Sequence, residues 1–460
     1  MAETKINRID MTTGALLPKL LLFALPVAAT SILSLLFNAA DVVVVGKFAG
    51  SNCMGAVGAT GAMVNLLVAS ANISLGSNVL VARYLGCKRE DEVSTVVHTS
   101  IVLGLILGIA TTILGLFLSE PILVAMNTPD ELLPLSVKYL KIYFLGMPAA
   151  MVYAFGAAIL RANGDTKRPL YYLIIAGTTN VVLNLVMVLI FHKDVEGVAI
   201  ATVVSQTVSV VLLLRCLFRC TDCCRLELKK LRLSWKTTLQ LLQIGVPASL
   251  QSMMFNIANI ITQSAINSFG TAVVAANTAS GNIDGFVCVG VDAMYQGALT
   301  FTSQNYGAGN YDRIGKTLRT TFLTSTVLGL VLGCSAYLFR HQLLGIYVSV
   351  TDPNYEAIIE AGVTRMRCTT LWYFTYGAMM SIVGAIRGMG KSWTPMLITM
   401  FGTCVLRIVW IYTAFRSIGT VFSLYLLYPI SWVVTGIAQL ICYVLTYGGL
   451  KKRAAASAVR

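Results

Sequence analysis

Long runs of apolar residues, each bounded by charged or turn-forming positions, divide the chain into twelve stretches. They lie near residues 16–43, 54–79, 93–118, 132–158, 169–191 and 196–218, and then near 237–265, 272–299, 317–340, 356–384, 394–416 and 420–447. Each is about the length of an apolar helix that crosses a bilayer. The runs are continuous, whereas a membrane barrel shows short segments alternating every second residue. An open sheet leaves backbone groups unsatisfied in lipid. The pattern predicts an all-α integral membrane protein with twelve transmembrane helices. A polar, basic segment at 219–236 separates six from six. The expected divisions are a bundle over 1–218, a linker over 219–236, a second bundle over 237–450 and a tail over 451–460.

Composition narrows the class. Hydrophobic residues make up 56% of the 460 and charged residues only 12%, about half the usual charged share of ~25%. Mean hydropathy is +0.76. This excludes a soluble enzyme, a nucleic-acid-binding protein and a single-anchor receptor, none of which would leave so little polar surface. The net charge of +14 is explained by its distribution. Twenty-five Lys and Arg fall on one side of the twelve spans and six on the other, leaving Arg365, Arg367 and Arg407 within them. By the positive-inside rule both termini face the cytoplasm of a plasma (inner) membrane. The polar opening MAETKINRIDMTTGALLPK does not read as a cleavable signal.

Little suggests a cofactor. Cys216, Cys220, Cys223 and Cys224 cluster, but their spacing is irregular and no His accompanies them, so reduced thiols are expected rather than a zinc site. His98, His192 and His341 each fall near a span end, which gives no basis for an intramembrane enzyme. No GxxxxGK[ST] occurs, so nucleotide is not the expected direct energy source.

The two halves echo one another. Pro26, Ser31, Asn38, Phe48, Gly76, Gly86 and Asp91 recur 221 positions later as Pro247, Ser252, Asn259, Phe269, Gly297, Gly307 and Asp312. Arg161, Gly164 and Pro169 recur 226 positions later as Arg387, Gly390 and Pro395. Six spans return the chain to its starting side, so both copies insert in the same sense. They are then related by a pseudo-two-fold axis along the membrane normal, an arrangement suited to alternating access.

The residues that carry this repeat also carry a resemblance. LPVAATSILSLLFNAADVVVVGKFAG (25–50), SQNYGAGNYDR (303–313) and the paired LRANGDTKRP (160–169) and IRGMGKSWTP (386–395) resemble the multidrug and toxic compound extrusion (MATE) transporters, over essentially the whole chain. The branch is DinF-like in its Asp41 and its QNYGAG segment. The resemblance implies a V-shaped pair of six-helix bundles. It also implies a monomeric exporter of amphipathic, mainly cationic organic compounds, driven by inward H+ or Na+. The alternative within the same superfamily is a flippase for lipid-linked oligosaccharides. Such flippases tend toward longer chains and a strongly cationic cavity, against which twelve spans and three internal arginines argue.

Asp41 is the sharpest candidate for the coupling chemistry. It follows an apolar helix and precedes VVVV. An intramembrane carboxylate is costly when ionised, so proton and cation can compete for it; the plain alternative is an interfacial pair with Lys47. Pro26 in the same helix removes a backbone hydrogen bond and is a candidate bend. By resemblance, the cation site adds Asn180, Asn184 and Thr202. Asn180 and Asn184 share one helix face at i,i+4. Many relatives carry an acid at the position of Asn184, so this site has one formal charge fewer. That favours H+ over Na+. In the second half, Gln251, Asn256, Asn259, Asp284, Asp292 and Arg407 are candidates for a secondary cavity. Asp284 and Asp292 are expected either to pair with Arg407 or Arg367 or to meet cargo. Met253, Met254, Phe255, Tyr295, Trp372, Tyr373, Tyr376, Met379 and Met380 are candidates for an adaptable cargo-binding wall.

Overall fold

The structure is a computed structural model that describes residues 9–45, 48, 51–126, 128–191, 193–348 and 353–458. Among these residues all regular structure is helical. Among the described residues nine helices are long and apolar enough to cross a membrane. The pair Leu133–Leu145 and Met147–Ala162 is long and apolar enough to make a tenth if taken as one span, and it is bent by 47° at Gly146, where Pro148 follows just inside the second helix. The two remaining expected spans coincide with Thr271–Gly307 and with Tyr355–Thr369 plus Tyr373–Gly388. Neither is among the helices that meet that criterion; the first carries Asp284 and Asp292, and the second carries Arg365 and Arg367.

The residues fall into two compact units. One comprises residues 1–10 and Ala29–Ser249, the other Met11–Ala28 and Leu250–Arg460. In the first unit α1 (Leu16–Val44) contributes its second half. It is followed by α2 (Ser51–Val68), α3 (Leu75–Gly86), α4 (Glu90–Ala125), α5 (Leu133–Leu145), α6 (Met147–Ala162), α7 (Lys167–Leu189) and α8 (Val195–Arg219). A 3-10 turn over Ala69–Ser74 joins α2 to α3. In the second unit lie the later part of α9 (Trp235–Asn267), α10 (Thr271–Gly307), α11 (Tyr311–Leu338), α12 (Arg340–Gly345), α13 (Tyr355–Thr369) and α14 (Tyr373–Gly388). They are followed by α15 (Trp393–Thr399), α16 (Leu406–Trp410) and α17 (Arg416–Ile418), which π-helical turns at Met400–Val405 and Ile411–Phe415 join into one rod, and by α18 (Val421–Tyr425) and α19 (Leu427–Ala458).

This division departs from boundaries drawn at the linker. Residues Met11–Ala28 group with the second repeat, and residues up to Ser249 with the first. The two changeovers, after Ala28 and after Ser249, are again 221 positions apart. Each follows two residues after a helix-interior proline, Pro26 and Pro247. Close backbone approach supports the arrangement within the first unit. A Cβ on Gly76 would lie 2.3 Å from the Leu241 carbonyl oxygen, and one on Gly245 would lie 2.3 Å from that of Ile73. Small residues of this kind let membrane helices pack backbone to backbone.

The repeat is as exact in backbone as in sequence. α3 ends at Gly86 and α10 at Gly307, and α4 and α11 start at Glu90 and Tyr311. Between them the left-handed position is Lys88 (φ 57°) in the first copy and Gly309 (φ 72°) in the second. Arg89 N–H donates to Tyr84 and Asn310 N–H to Asn305, each at 3.0 Å. The later turns match too. Gly164 (φ 85°) and Gly390 (φ 87°) are left-handed. Their N–H groups donate to the carbonyls of Arg161 and Arg387 at 2.9 and 2.7 Å.

Candidate functional site

In the first unit the four residues expected at the cation site form one hydrogen-bonded chain across three helices. Asn184 on α7 donates from Nδ2 to Asp41 Oδ1 on α1 at 2.5 Å and to Asn180 Oδ1 at 3.3 Å. Asn180 Nδ2 donates to Thr202 Oγ1 on α8 at 3.5 Å. Thr202 Oγ1 in turn donates to the Val198 carbonyl one turn earlier at 3.0 Å. The i,i+4 spacing puts both asparagines on one face of α7. The short connection after α7 returns the chain as α8, bringing Thr202 alongside. Asn180 and Asn184 are buried, and Asp41 is half-buried. One acceptor is left over: Oδ1 of Asn184 is buried with no hydrogen-bond partner.

The alternative partner for Asp41, Lys47, lies outside the described residues. Pro26 lies inside the continuous helix α1, ahead of the Ala28 changeover. Carrying the repeat offsets forward, Asp41 corresponds to Thr262 and Asn184 to Trp410. Thr262 donates to the Ala258 carbonyl at 2.9 Å, so the second copy has no counterpart of this carboxylate.

The second unit holds a different constellation. Asp284 pairs with Arg365, Oδ2 to Nη1 at 2.7 Å, and Thr369 Oγ1 approaches its other oxygen at 3.5 Å. The expected partners Arg407 and Arg367 are therefore both corrected. Arg367 is exposed beside the Phe422 ring, because residues two apart on a helix face away from each other. Asp292 receives the Tyr376 hydroxyl at 3.4 Å instead of an arginine. Arg407 donates to Asn259 Oδ1 and to Ser431 Oγ, each at 3.4 Å. Its guanidinium lies 4.4 Å from the Tyr428 ring centroid. Among the described residues no acid pairs with it.

Gln251 is claimed by Arg387, which donates to Gln251 Oε1 at 2.7 Å and to the Tyr295 hydroxyl at 2.6 Å. Sequence counting placed Arg387 with the solvent-facing positive charges, but it is buried. Its match with Arg161 in the repeat was the available signal. Asn256 lies half-buried on α9, and Asn259 is exposed to a cavity on the same helix. The expected aromatic and Met wall is in part a packed core: Tyr373, Tyr376, Met379 and Met380 surround Trp432, with ring centroids 5.3 Å and 5.5 Å away for the two tyrosines. Among the described residues no three His, Cys, Asp or Glu side chains converge as metal ligands.

Helices long and apolar enough to cross a membrane, a polar chain shared by three of them and an internal repeat are features of a multi-pass transporter. The chain belongs to the MatE family, whose profile matches residues 26–186 and 247–413. It is 26% identical over 389 residues to the probable multidrug resistance protein YoeA of Bacillus subtilis (strain 168), covering 83% of each chain. It is 22% identical to the multidrug export protein MepA of Staphylococcus saprophyticus, covering 92% of each. Among solved structures, one described as MATE in complex with MaL6 superposes with a TM-score of 0.90 at 20% identity, covering 97% of this chain and 100% of the other. An outward-facing MATE family transporter of the MOP superfamily superposes with a TM-score of 0.89, covering 98% of this chain and 100% of the other. The fold is that of these twelve-helix transporters.

Proposed function

We propose that the protein is a secondary antiporter that exports amphipathic, mainly cationic organic compounds across the plasma membrane in exchange for H+, with both termini in the cytoplasm and the single chain as the working unit. Relatives named as multidrug resistance and export proteins support the cargo class. They do not favour the lipid-linked oligosaccharide flippase. The observation that carries the coupling is the Asp41–Asn184–Asn180–Thr202 chain.

Its chemistry suits a proton. Ionised, Asp41 only accepts, and the Asn184 amide donates to it. Protonated, Asp41 becomes a donor and needs an acceptor. The buried, unpartnered Oδ1 of Asn184 supplies one when the amide turns over, and the rearrangement then passes to Asn180 and Thr202. A single carboxylate with neutral partners gives a weaker cage for Na+ than a pair of acids would. Pro26 weakens α1 below the site, so the change at Asp41 biases a two-state helix. Solved structures of MATE in a bent and in a straight conformation support a two-state reading. In energised vesicles, Asp41→Asn should abolish dye efflux while leaving the amount of folded protein unchanged. Efflux at the wild-type rate in that variant would remove Asp41 from the coupling role.

A further inference from the structure

The second unit carries an open cavity of about 480 Å³, within the range that holds a drug-sized ligand. Arg365 and Asp284, both buried, stand in its wall as an ion pair. Gly281 and Gly285, one turn apart on α10, also open onto it. A Cβ on Gly285 would meet nothing within 4 Å, and one on Gly281 would meet only Arg365 Nη2 at 3.9 Å. The glycines thus leave space in front of the guanidinium. Nε of Arg365 is buried with no hydrogen-bond partner, so the pair with Asp284 does not exhaust its donors.

The charge of this wall decides what it can hold. Arg365 already neutralises Asp284, so an added net cation brings a desolvated charge with no counter-charge to meet it. A second arginine tips the balance further. Arg407 rests on Asn259 and on the ring of Tyr428, and both of those residues line the cavity. The rod that carries Arg407 is interrupted on either side by π-helical turns, irregularities that recur at functional sites. Tyr373, Tyr428 and Trp432 complete the wall with aromatic surface.

We propose that this cavity is a second ligand site, distinct from the Asp41 chain, and that it takes aromatic zwitterions, with the ligand carboxylate on Arg365 and its ammonium on Asp284. The ligand's two charges exchange partners with the ion pair, and the site stays neutral throughout. Net anions rank second, because Arg407 stands behind the wall. Net cations rank last. The inference concerns binding, and it stands whether or not Asp41 carries the coupling ion.

The test uses purified full-length protein and three forms of one probe: phenylalanyl-phenylalanine, its N-acetyl derivative and its C-terminal amide, which are a zwitterion, an anion and a cation at neutral pH. Titration calorimetry should show the free dipeptide binding at least ten-fold more tightly than the amide, with the acetylated form between them. Gly285→Leu fills the open space and should weaken the free dipeptide at least ten-fold, without shifting the thermal unfolding midpoint of the unliganded protein. The double variant Asp284→Asn/Arg365→Gln removes both charges of the pair together, so neither is left without its partner, and it should erase the advantage of the free dipeptide over the other two forms. Equal or tighter binding of the amide, binding that survives Gly285→Leu, or no binding of any form to folded protein would overturn the proposal.

Discussion

At the residue scale, the hydrogen-bonded group around Asp41 that is proposed for coupling was legible, and the pairings of the second unit only in part. Asp41 stands out because a lone carboxylate in an apolar run has few structural uses, and Asn180 and Asn184 are linked by helical spacing. Asp284 gave no such handle. Its partner lies 81 positions away, and the sequence offers both Arg365 and Arg367. These face opposite sides of α13, and only the fold decides that Arg365 turns inward. Arg387 was missed for a related reason: an arginine at a span end reads as a solvated charge until its head is seen between Tyr295 and Gln251. Replacing it strands both partners, and hydrogen bonds to charged groups contribute ~1.5–3 kcal/mol each. Arg387→Met should therefore lower stability by about 2–3 kcal/mol, read as an earlier unfolding transition in detergent. Lys88 points the other way. It holds the left-handed conformation that its repeat counterpart Gly309 adopts freely. That conformation costs a non-glycine residue about 1–2 kcal/mol, offset in part by the greater chain entropy of glycine. Lys88→Gly should raise stability by about 0.5 kcal/mol; a lower unfolding midpoint would contradict the equivalence of the two turns.

At the element scale, apolar length predicted where helices run but not where they break. The 3-10 turn at Ala69–Ser74, the break between α13 and α14, and the π turns around α16 leave no mark on hydropathy. They depend on what each helix packs against. The changeovers after Ala28 and Ser249 were hidden for the same reason, although Pro26 and Pro247 mark the places. The backbone contacts at Gly76 explain why α9 is held in its first half. Gly76→Ala places a methyl group against the Leu241 carbonyl. Overpacking of this kind costs ~1–3 kcal/mol, so the variant should unfold at a lower temperature while keeping its helical content. Pro26→Ala restores a helix hydrogen bond and relieves a penalty of ~3 kcal/mol in a helix interior. If the bend is part of the cycle, that variant should be at least as stable as the parent yet transport far more slowly. Full transport activity would make Pro26 a passive kink.

At the scale of the whole molecule, the repeat was legible, yet the two copies carry different side chains at the positions that matter most to the proposal. The backbone turns match position for position, while Asp41 has become Thr262 and Asn184 has become Trp410 in the second copy. The proposed coupling chemistry lies in the first unit, and the Asp284–Arg365 pair lies in the second. The orientation inferred from the Lys and Arg imbalance can be checked at Cys87, which is exposed in the turn beside Lys88. In a variant that keeps only this cysteine, a membrane-impermeant maleimide should label disrupted cells and spare intact ones. The central claim, that one carboxylate with neutral partners makes a proton site, is tested most directly by imposing a pH jump or a Na+ jump on proteoliposomes loaded with a cationic dye. The account predicts that the wild-type protein responds to the pH jump alone and that Asn184→Asp, which restores a second carboxylate, gains a response to Na+. Dye movement driven by Na+ in the wild type, with none driven by the pH jump, would contradict it.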